Sequence, residues 1–361
     1  MKTTNIIGYT MLVALSLLLF SCTSEPIQGP PGADGIDGVD GVDGMAGTAS
    51  CIACHSDSHR EPIESSYLVS LHALDPLHTD RATGDQIKTS DYTNRSGCVQ
   101  CHTSDGYIDY VNGRPLATGT GYPDNTAYPY GQQTISCVTC HDEHSTFDFE
   151  NDGHDYALRH FDPVTLVYDQ TTIIDFGDTS NNCITCHQPR DSYVVPSGVD
   201  DYNISSSRFG PHHGPQSTMV EGILGANIAG TEGYPGVGTS SHRTGASCVT
   251  CHMDSSTTGL GKHSMIARDE MGTHVNACTD CHGSNVPEEV TGYATDFKTL
   301  HDLLVATGAI NEDGSTISGT YPVKVAQAVW NYKTLEEDKS NGIHNPNYAK
   351  ALLKNSIEAL Q

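Results

Sequence analysis

The 361-residue chain has few cationic residues and little apolar material for a core. Its 18 Lys and Arg stand against 44 Asp and Glu, which gives a formal net charge of −26. Binding of nucleic acid phosphates requires clustered Lys and Arg, so this charge argues against a nucleic acid partner. Hydrophobic residues make up 36% of the chain, beside 36 Gly and 17 Pro. We therefore expect something other than side-chain burial to organise the fold.

The N-terminal segment predicts export. The apolar run at residues 11–20 is too short to span a bilayer on its own and follows Lys2, as in the h-region of a signal peptide. It ends at Cys22, where the sequence resembles the lipobox of bacterial lipoproteins. This resemblance implies a signal peptide at residues 1–21, lipidation of Cys22 and, because Thr23 replaces the Asp that retains such proteins at the inner membrane, placement at the outer membrane. An ordinary secretory signal is the alternative.

Residues 22–50 predict a spacer behind this anchor. Glycine falls at every third position from Gly29 to Gly47, which is the period of a collagen triple helix. The run is short, rich in Asp and poor in Pro. An extended, solvated spacer is therefore favoured over a trimerisation stalk.

Apart from Cys22, every cysteine lies in a Cys-x-x-Cys-His motif. This spacing lets two thiols bond to the vinyl groups of one haem while the His binds its iron. Redox-active cysteine pairs and zinc sites are alternatives, but neither requires a His after each second Cys. The sequence predicts six c-type haems, with the motif His as the proximal iron ligand. The motifs are motif I (Cys51, Cys54, His55), motif II (Cys98, Cys101, His102), motif III (Cys137, Cys140, His141), motif IV (Cys183, Cys186, His187), motif V (Cys248, Cys251, His252) and motif VI (Cys278, Cys281, His282).

With these motifs, the chain resembles the bacterial hexahaem c-type cytochrome lipoproteins of the outer membrane and cell surface. The motifs span residues 51–282, and the segment Arg208–Gln216 is also similar to multihaem lipoproteins. The resemblance implies haem attachment outside the cytoplasm and redox partner proteins. It also implies membrane association through the lipid anchor, on the periplasmic face or at the cell surface.

The sixth ligand of each iron decides between a carrier and an enzyme. An iron with two His ligands carries electrons but leaves no position for a substrate, whereas catalytic haems keep one face open. Of the 19 His, 13 lie outside the motifs, so a second His ligand for every haem is available. This supply favours an electron carrier. The candidate distal ligands are His72, His144, His212, His213, His242, His263 and His344.

Local context supports these candidates to different degrees. His144 follows His141 by three residues, so we expect it to reach the haem of a neighbouring motif. Adjacent side chains of extended backbone point to opposite sides. His212 and His213 could therefore bind two different haems, or one could bind while the other forms a hydrogen bond. His344 resembles the His-x-Pro segment of pentahaem nitrite reductases, in which the His is an axial ligand.

The remaining candidates are more ambiguous. His242 and His263 lie in Gly- and Ser-rich segments that can wrap round a macrocycle, and for His72 a core histidine is the alternative. Methionine is a possible substitute ligand, at Met253 or Met265. The other histidines are predicted not to bind iron, namely His59, His78, His154, His160, His274 and His301.

The predicted fold is a multihaem cytochrome c, loop-rich and mainly coil, with short helices packed around a chain of haems. Turn-forming residues dominate the predicted haem core at residues 51–290. Apolar residues then recur at helical spacing, which predicts a small helical hairpin or bundle at residues 291–361.

The leading functional prediction is a relay of electrons through a chain of bis-His haems. Self-association into a polymeric conduit is compatible with it. The alternative is a reductase or oxidase of small nitrogen or sulfur compounds with one open haem, of the nitrite or hydroxylamine type. The motifs do not favour it, because none has the Lys-ending form of many nitrite reductases.

Overall fold

The computed structural model describes residues 51–52, 54–73, 96–114, 135–144, 156–254, 260–269 and 271–361, and the backbone of two short strands at 78–79 and 86–87. The predicted signal peptide, Cys22 and the glycine-repeat spacer lie outside the described residues, as does His154. Among the described helices, none has the length and apolar character needed to cross a membrane.

Short helices separated by loops make up the described part of the chain before residue 290. Most of them carry a Cys-x-x-Cys-His motif or flank one. A 3₁₀ turn at Lys262–Ser264 joins this set. The helices are α1 (Asp57–Leu68), α2 (Ser96–His102), α3 (Ser104–Val111), α4 (Cys137–Cys140), α5 (Asn181–Ile184), α6 (Gln216–Glu221), α7 (Ser241–Thr244), α8 (Cys248–His252) and α9 (Asn276–His282).

Three antiparallel strand pairs support the loops. The first joins β1 (His78–Thr79) to β2 (Gln86–Ile87), and the second joins β3 (Val164–Thr165) to β4 (Ile173–Ile174). The third pair is the most distant in sequence, because it places β5 (Tyr202–Ile204) beside β6 (Gly319–Tyr321), with Tyr202 opposite Tyr321.

Longer helices form the C-terminal part, as the helical spacing predicts. They are α10 (Tyr293–Ala306), α11 (Val323–Asp338) and α12 (Pro346–Leu360). The start of α12 is defined by Asn345, whose side chain accepts a hydrogen bond from the backbone N–H of Tyr348 at 3.2 Å.

The main hydrophobic core lies between these helices and the segment that precedes them. Trp330 of α11 is fully buried and donates a hydrogen bond from Nε1 to the carbonyl of Leu224 at 2.7 Å. Phe209 packs on the same indole, with 5.5 Å between ring centres. Residues around 204–228 therefore share one core with the C-terminal helices. A smaller core consists of Val164, Leu166, Ile174 and Ile184, the last of which belongs to motif IV.

Candidate haem-binding sites

The motifs pack against one another, and motif IV lies at the centre of these contacts. The thiol of Cys101 in motif II donates to the carbonyl of Cys186 in motif IV at 3.8 Å, and the thiol of Cys186 donates to the carbonyl of Gln100 at 3.7 Å. The buried Gln100 amide also donates to the carbonyl of Thr185 at 2.9 Å. These contacts place motifs II and IV side by side, and the Gln100 bond does not involve a sulfur that attaches haem.

Motif IV also contacts motifs III and V. The thiols of Cys183 and Cys248 interact directly, which raises the pKa of the Cys183 thiol and lowers that of the Cys248 thiol. Beside them, Ser180 Oγ accepts a hydrogen bond from the N–H of Val249 at 3.1 Å. Cys140 of motif III is close enough to contribute to the raised pKa of the Cys183 thiol. Motif IV therefore has three neighbouring motifs.

Motifs V and VI are the next pair along the chain. Burial, followed by the thiols of Cys278 and Cys248, raises the pKa of the Cys251 thiol to about 11. The carboxylate of Asp254 accepts a hydrogen bond from the N–H of Ala277, at the start of α9, at 2.6 Å. This bond fixes motif VI beside motif V.

Five of the six motif histidines lie opposite a histidine from outside the motifs. In every case the outside histidine is one of the candidate distal ligands, and neither His242 nor His263 lies opposite the motif nearest to it in sequence. The pairs, with the distances between ring centres, are His55 with His144 at 6.2 Å, His72 with His187 at 6.0 Å, His141 with His263 at 6.1 Å, His242 with His282 at 6.1 Å and His252 with His344 at 6.4 Å.

This spacing suits two imidazoles that bind one metal ion from opposite sides. A metal–imidazole bond is about 2.0–2.1 Å long, so the two bound nitrogens lie roughly 4 Å apart. The ring centres lie further out, which brings them to roughly 6 Å. The five pairs repeat this separation within a narrow range. Within the described residues no disulfide joins any of the twelve motif cysteines, so both sulfurs of each motif can attach a c-type haem.

Hydrogen bonds at Nδ1 orient many of these rings. A bond from Nδ1–H to an acceptor fixes the tautomer and leaves the lone pair of Nε2 for a metal. The acceptors of these bonds are the carbonyl of Tyr156 for His141 (2.8 Å), Gln216 for His187 (3.2 Å), Glu337 for His213 (2.8 Å), the carbonyl of Ile343 for His242 (2.5 Å), the carbonyl of Met265 for His252 (2.9 Å) and Asp338 for His344 (2.6 Å).

Burial keeps several of these imidazoles neutral, as metal binding requires. The pKa of His72 is lowered to about 4 by burial and by the nearby His187 and His252. The pKa of His102 is lowered to about 4 by burial and by His213. His344 differs, because the charge and hydrogen bond of Asp338 outweigh burial and raise its pKa.

Motif II has two candidate distal histidines beside it. His212 and His213 have 4.3 Å between ring centres, and each lies close enough to His102 to interact with it electrostatically. The expectation that this pair lies in extended backbone is wrong. His212 has a φ of 66°, in the left-handed region, within a turn. The two rings therefore lie side by side and do not point to opposite sides.

Of the histidines predicted not to bind iron, the side chain of His301 has other partners, whereas His274 has a buried Nε2 with no hydrogen-bond partner in the described part of the chain. His301 bonds through Nδ1 to Asp302 and through Nε2 to the carbonyl of Glu312, each at 3.2 Å. Burial lowers the pKa of His160. The backbone of His274 forms an isolated antiparallel β-bridge with that of Arg268. His59 lies exposed on α1. The sulfur of Met265 accepts a hydrogen bond from Nδ1 of His72, a contact that the sequence did not predict.

Repeated thiol pairs with opposed imidazoles on a loop-rich scaffold define a multihaem c-type cytochrome. Residues 40–197 match the family of outer membrane cytochromes described as MtrC/MtrF-like, domains II/IV. The fold is similar to the solved structure titled "Crystal Structure of Outer Cell Wall Cytochrome OcwA", with a TM-score of 0.50 and 18% sequence identity over 83% of this chain and 50% of that chain. The chain thus spans about half the length of that cytochrome. Among curated proteins, no sequence matches.

These findings show that residues 40–197 resemble outer membrane cytochromes and that the fold resembles that of a multihaem cytochrome. The predicted fold class is confirmed, and the similarity to outer membrane cytochromes implies c-type haem as the cofactor.

Proposed function

We propose that the protein is an electron-transfer cytochrome that carries six c-type haems, each held between two histidines. The observation that carries this proposal is the set of five motif histidines that each lie 6.0–6.4 Å from a histidine outside the motifs. Each bound haem supplies an iron that takes up and releases one electron reversibly. The chain's own contribution would be one histidine from the motif and one from outside it at each haem, which would leave no position for a substrate at the iron.

The contacts between motifs support a continuous route. His141 and His144 lie in one short segment but face His263 and His55 respectively, which joins motifs I and III. The thiol contacts described above extend this route through motif IV to motifs V and VI. We propose the order I, III, IV, V, VI, with motif II as a side branch at motif IV.

The cellular setting is proposed from the sequence. Lipidation at Cys22 and the glycine-repeat spacer would anchor the haem-bearing part at the outer membrane or cell surface and expose it to redox partner proteins. Self-association into filaments stays a prediction. It does not require a histidine from a neighbouring subunit, because each motif histidine has a candidate partner histidine in the same chain.

The test is to measure haem content and the low-temperature EPR spectrum of the oxidised protein. We expect six haems per chain, all low-spin, and no change when nitrite or hydroxylamine is added. A high-spin haem present at one per chain that responds to either compound would contradict the relay and favour the reductase or oxidase alternative. The variant His144→Ala is the positive control, because it should open one iron at motif I and produce such a signal.

A further inference from the structure

Motifs IV and V share one residue, Met265, which bonds to a histidine at each of them. The sulfur of Met265 lies 2.8 Å from Nδ1 of His72. The ring of His72 in turn lies opposite that of His187 in motif IV. Its backbone carbonyl lies 2.9 Å from Nδ1 of His252, the proximal histidine of motif V. One residue therefore holds an axial histidine of two neighbouring sites, through two different acceptor atoms.

The backbone conformation of Met265 makes this double contact possible. Met265 follows the 3₁₀ turn at Lys262–Ser264 and has a φ of 56°, a left-handed conformation that residues other than glycine seldom adopt. The turn itself packs against α1, whose C-terminal end leads to His72. The side chain and the carbonyl of Met265 can thus serve rings from separate parts of the chain.

The acceptors at motif IV are weaker than those at motif V. A thioether sulfur is a weak acceptor, and Nδ1 of His187 bonds to the neutral side-chain amide of Gln216 at 3.2 Å. At motif V, His252 bonds to a carbonyl and His344 bonds to the carboxylate of Asp338 at 2.6 Å. Hydrogen bonds to an ionised acceptor are shorter and stronger than bonds between neutral groups.

A stronger acceptor at Nδ1 makes the imidazole a more basic ligand, which stabilises ferric iron and lowers the reduction potential. We propose that Met265, together with Asp338, sets the potential of motif IV above that of motif V. With haem bound at both motifs, the motif V iron would be oxidised by giving one electron to the motif IV iron, which would be reduced. This inference rests on the proposed bis-His ligation at both motifs.

The test is a redox titration of the full, haem-loaded protein followed by absorption and EPR spectroscopy. In Met265→Gln an amide oxygen replaces the sulfur, while the backbone carbonyl stays in place. We expect the potential of motif IV to fall and that of motif V to stay unchanged. The variant Met271→Gln is the matched control, since Met271 is 88% exposed, and it should leave every potential unchanged.

Two further variants make the assignment and protect the test against misfolding. In His72→Met a methionine replaces the proposed histidine ligand, and methionine ligation raises the reduction potential of a haem. The haem whose potential rises strongly in this variant is therefore the one at motif IV. Asp338→Asn should raise the potential of motif V by removing the acceptor's charge, whether or not Met265→Gln folds.

The outcomes separate this inference from the proposed function. If the wild-type protein has six low-spin haems but Met265→Gln leaves the motif IV potential unchanged, or shifts motif V equally, the role of Met265 is refuted and the relay stands. A motif V potential above that of motif IV in the wild-type protein would also refute it. A high-spin haem at motif IV or V in the wild-type protein would instead contradict the proposed bis-His ligation at that motif.

Discussion

His344 lies opposite His252, with 6.4 Å between ring centres, although the two residues come from the loop before α12 and from motif V. Nδ1 of His344 is held 2.6 Å from Oδ1 of Asp338, whose side chain is 1% exposed. The last helices of the chain therefore do more than pack, because they position a candidate iron ligand for a motif far away in sequence.

On the proposed bis-His ligation, removal of His344 should open one haem iron. In His344→Ala the thiols and His252 still attach the haem, so we expect unchanged haem content and one high-spin haem per chain by EPR. Added imidazole should restore the low-spin spectrum. The control is His301→Ala, since His301 bonds to Asp302 and Glu312 instead of facing a motif histidine. A wholly low-spin spectrum of His344→Ala would contradict the assignment.

The loop that leads into motif IV should depend on pH through Asp175. Hydrogen bonds from the side chain of Asn181 and the N–H of Gly177 hold the pKa of Asp175 below its ordinary value of 3.8. A carboxylate with a lowered folded-state pKa stabilises the fold above its unfolded-state pKa, and this contribution is lost as the pH falls through the folded-state value. We therefore expect Asp175→Asn to unfold more easily than the wild-type protein at pH near 7.

The measurement is chemical denaturation followed by circular dichroism at neutral and acidic pH. The difference between Asp175→Asn and the wild-type protein should shrink as the pH falls below 3.8. Asp200→Asn, which changes an exposed carboxylate in a loop, should show little effect at neutral pH. An equal destabilisation by Asp175→Asn at both pH values would rule out the ionised carboxylate as the cause.

The sequence can predict the haem-attachment residues because the chemistry is local. Both thiols and the proximal histidine fall within one short motif, and that motif keeps its spacing in any fold. The partners of the motif histidines are a different problem. His72 faces motif IV and His263 faces motif III, and these pairings depend on how the loops pack, which no local pattern encodes.

Backbone conformation explains the error at His212. Adjacent side chains point to opposite sides only in extended backbone. The positive φ of His212 shows that the backbone there is not extended. The C-terminal helices were predictable from the spacing of apolar residues. The packing of these helices against Phe209 and Met219 was not predictable. Around those two residues the sequence has no run of apolar residues long enough to show a helical or strand period.

The main core should depend strongly on Trp330. Its side chain is fully buried and bonds to the carbonyl of Leu224. Truncation of a buried aromatic side chain costs about 3–5 kcal/mol, so Trp330→Ala should lower the free energy of unfolding by about that amount. Val199→Ala is the control, since Val199 is 92% exposed. A loss below about 1 kcal/mol for Trp330→Ala would show that the haem-bearing loops, not this core, dominate stability.

Gly261 should be essential for the geometry of motif III. It has a φ of 71°, and a Cβ atom there would lie 1.9 Å from the carbonyl oxygen of Asp254. The residue opens the 3₁₀ turn that carries His263, which faces His141. In Gly261→Ala the backbone must move away from Asp254, so we expect His263 to be displaced and one haem to become high-spin.

Gly308 separates this clash from the cost of the left-handed conformation. It has a φ of 74°, but a Cβ atom there would meet nothing within 4 Å. Gly308→Ala should therefore cost only the strain of about 1–2 kcal/mol for a left-handed residue, with all haems still low-spin. Gly261→Ala should cost more than this and change the EPR spectrum. Equal destabilisation of the two variants, with both spectra unchanged, would mean that Asp254 yields to the new methyl group and that the position of His263 does not depend on Gly261.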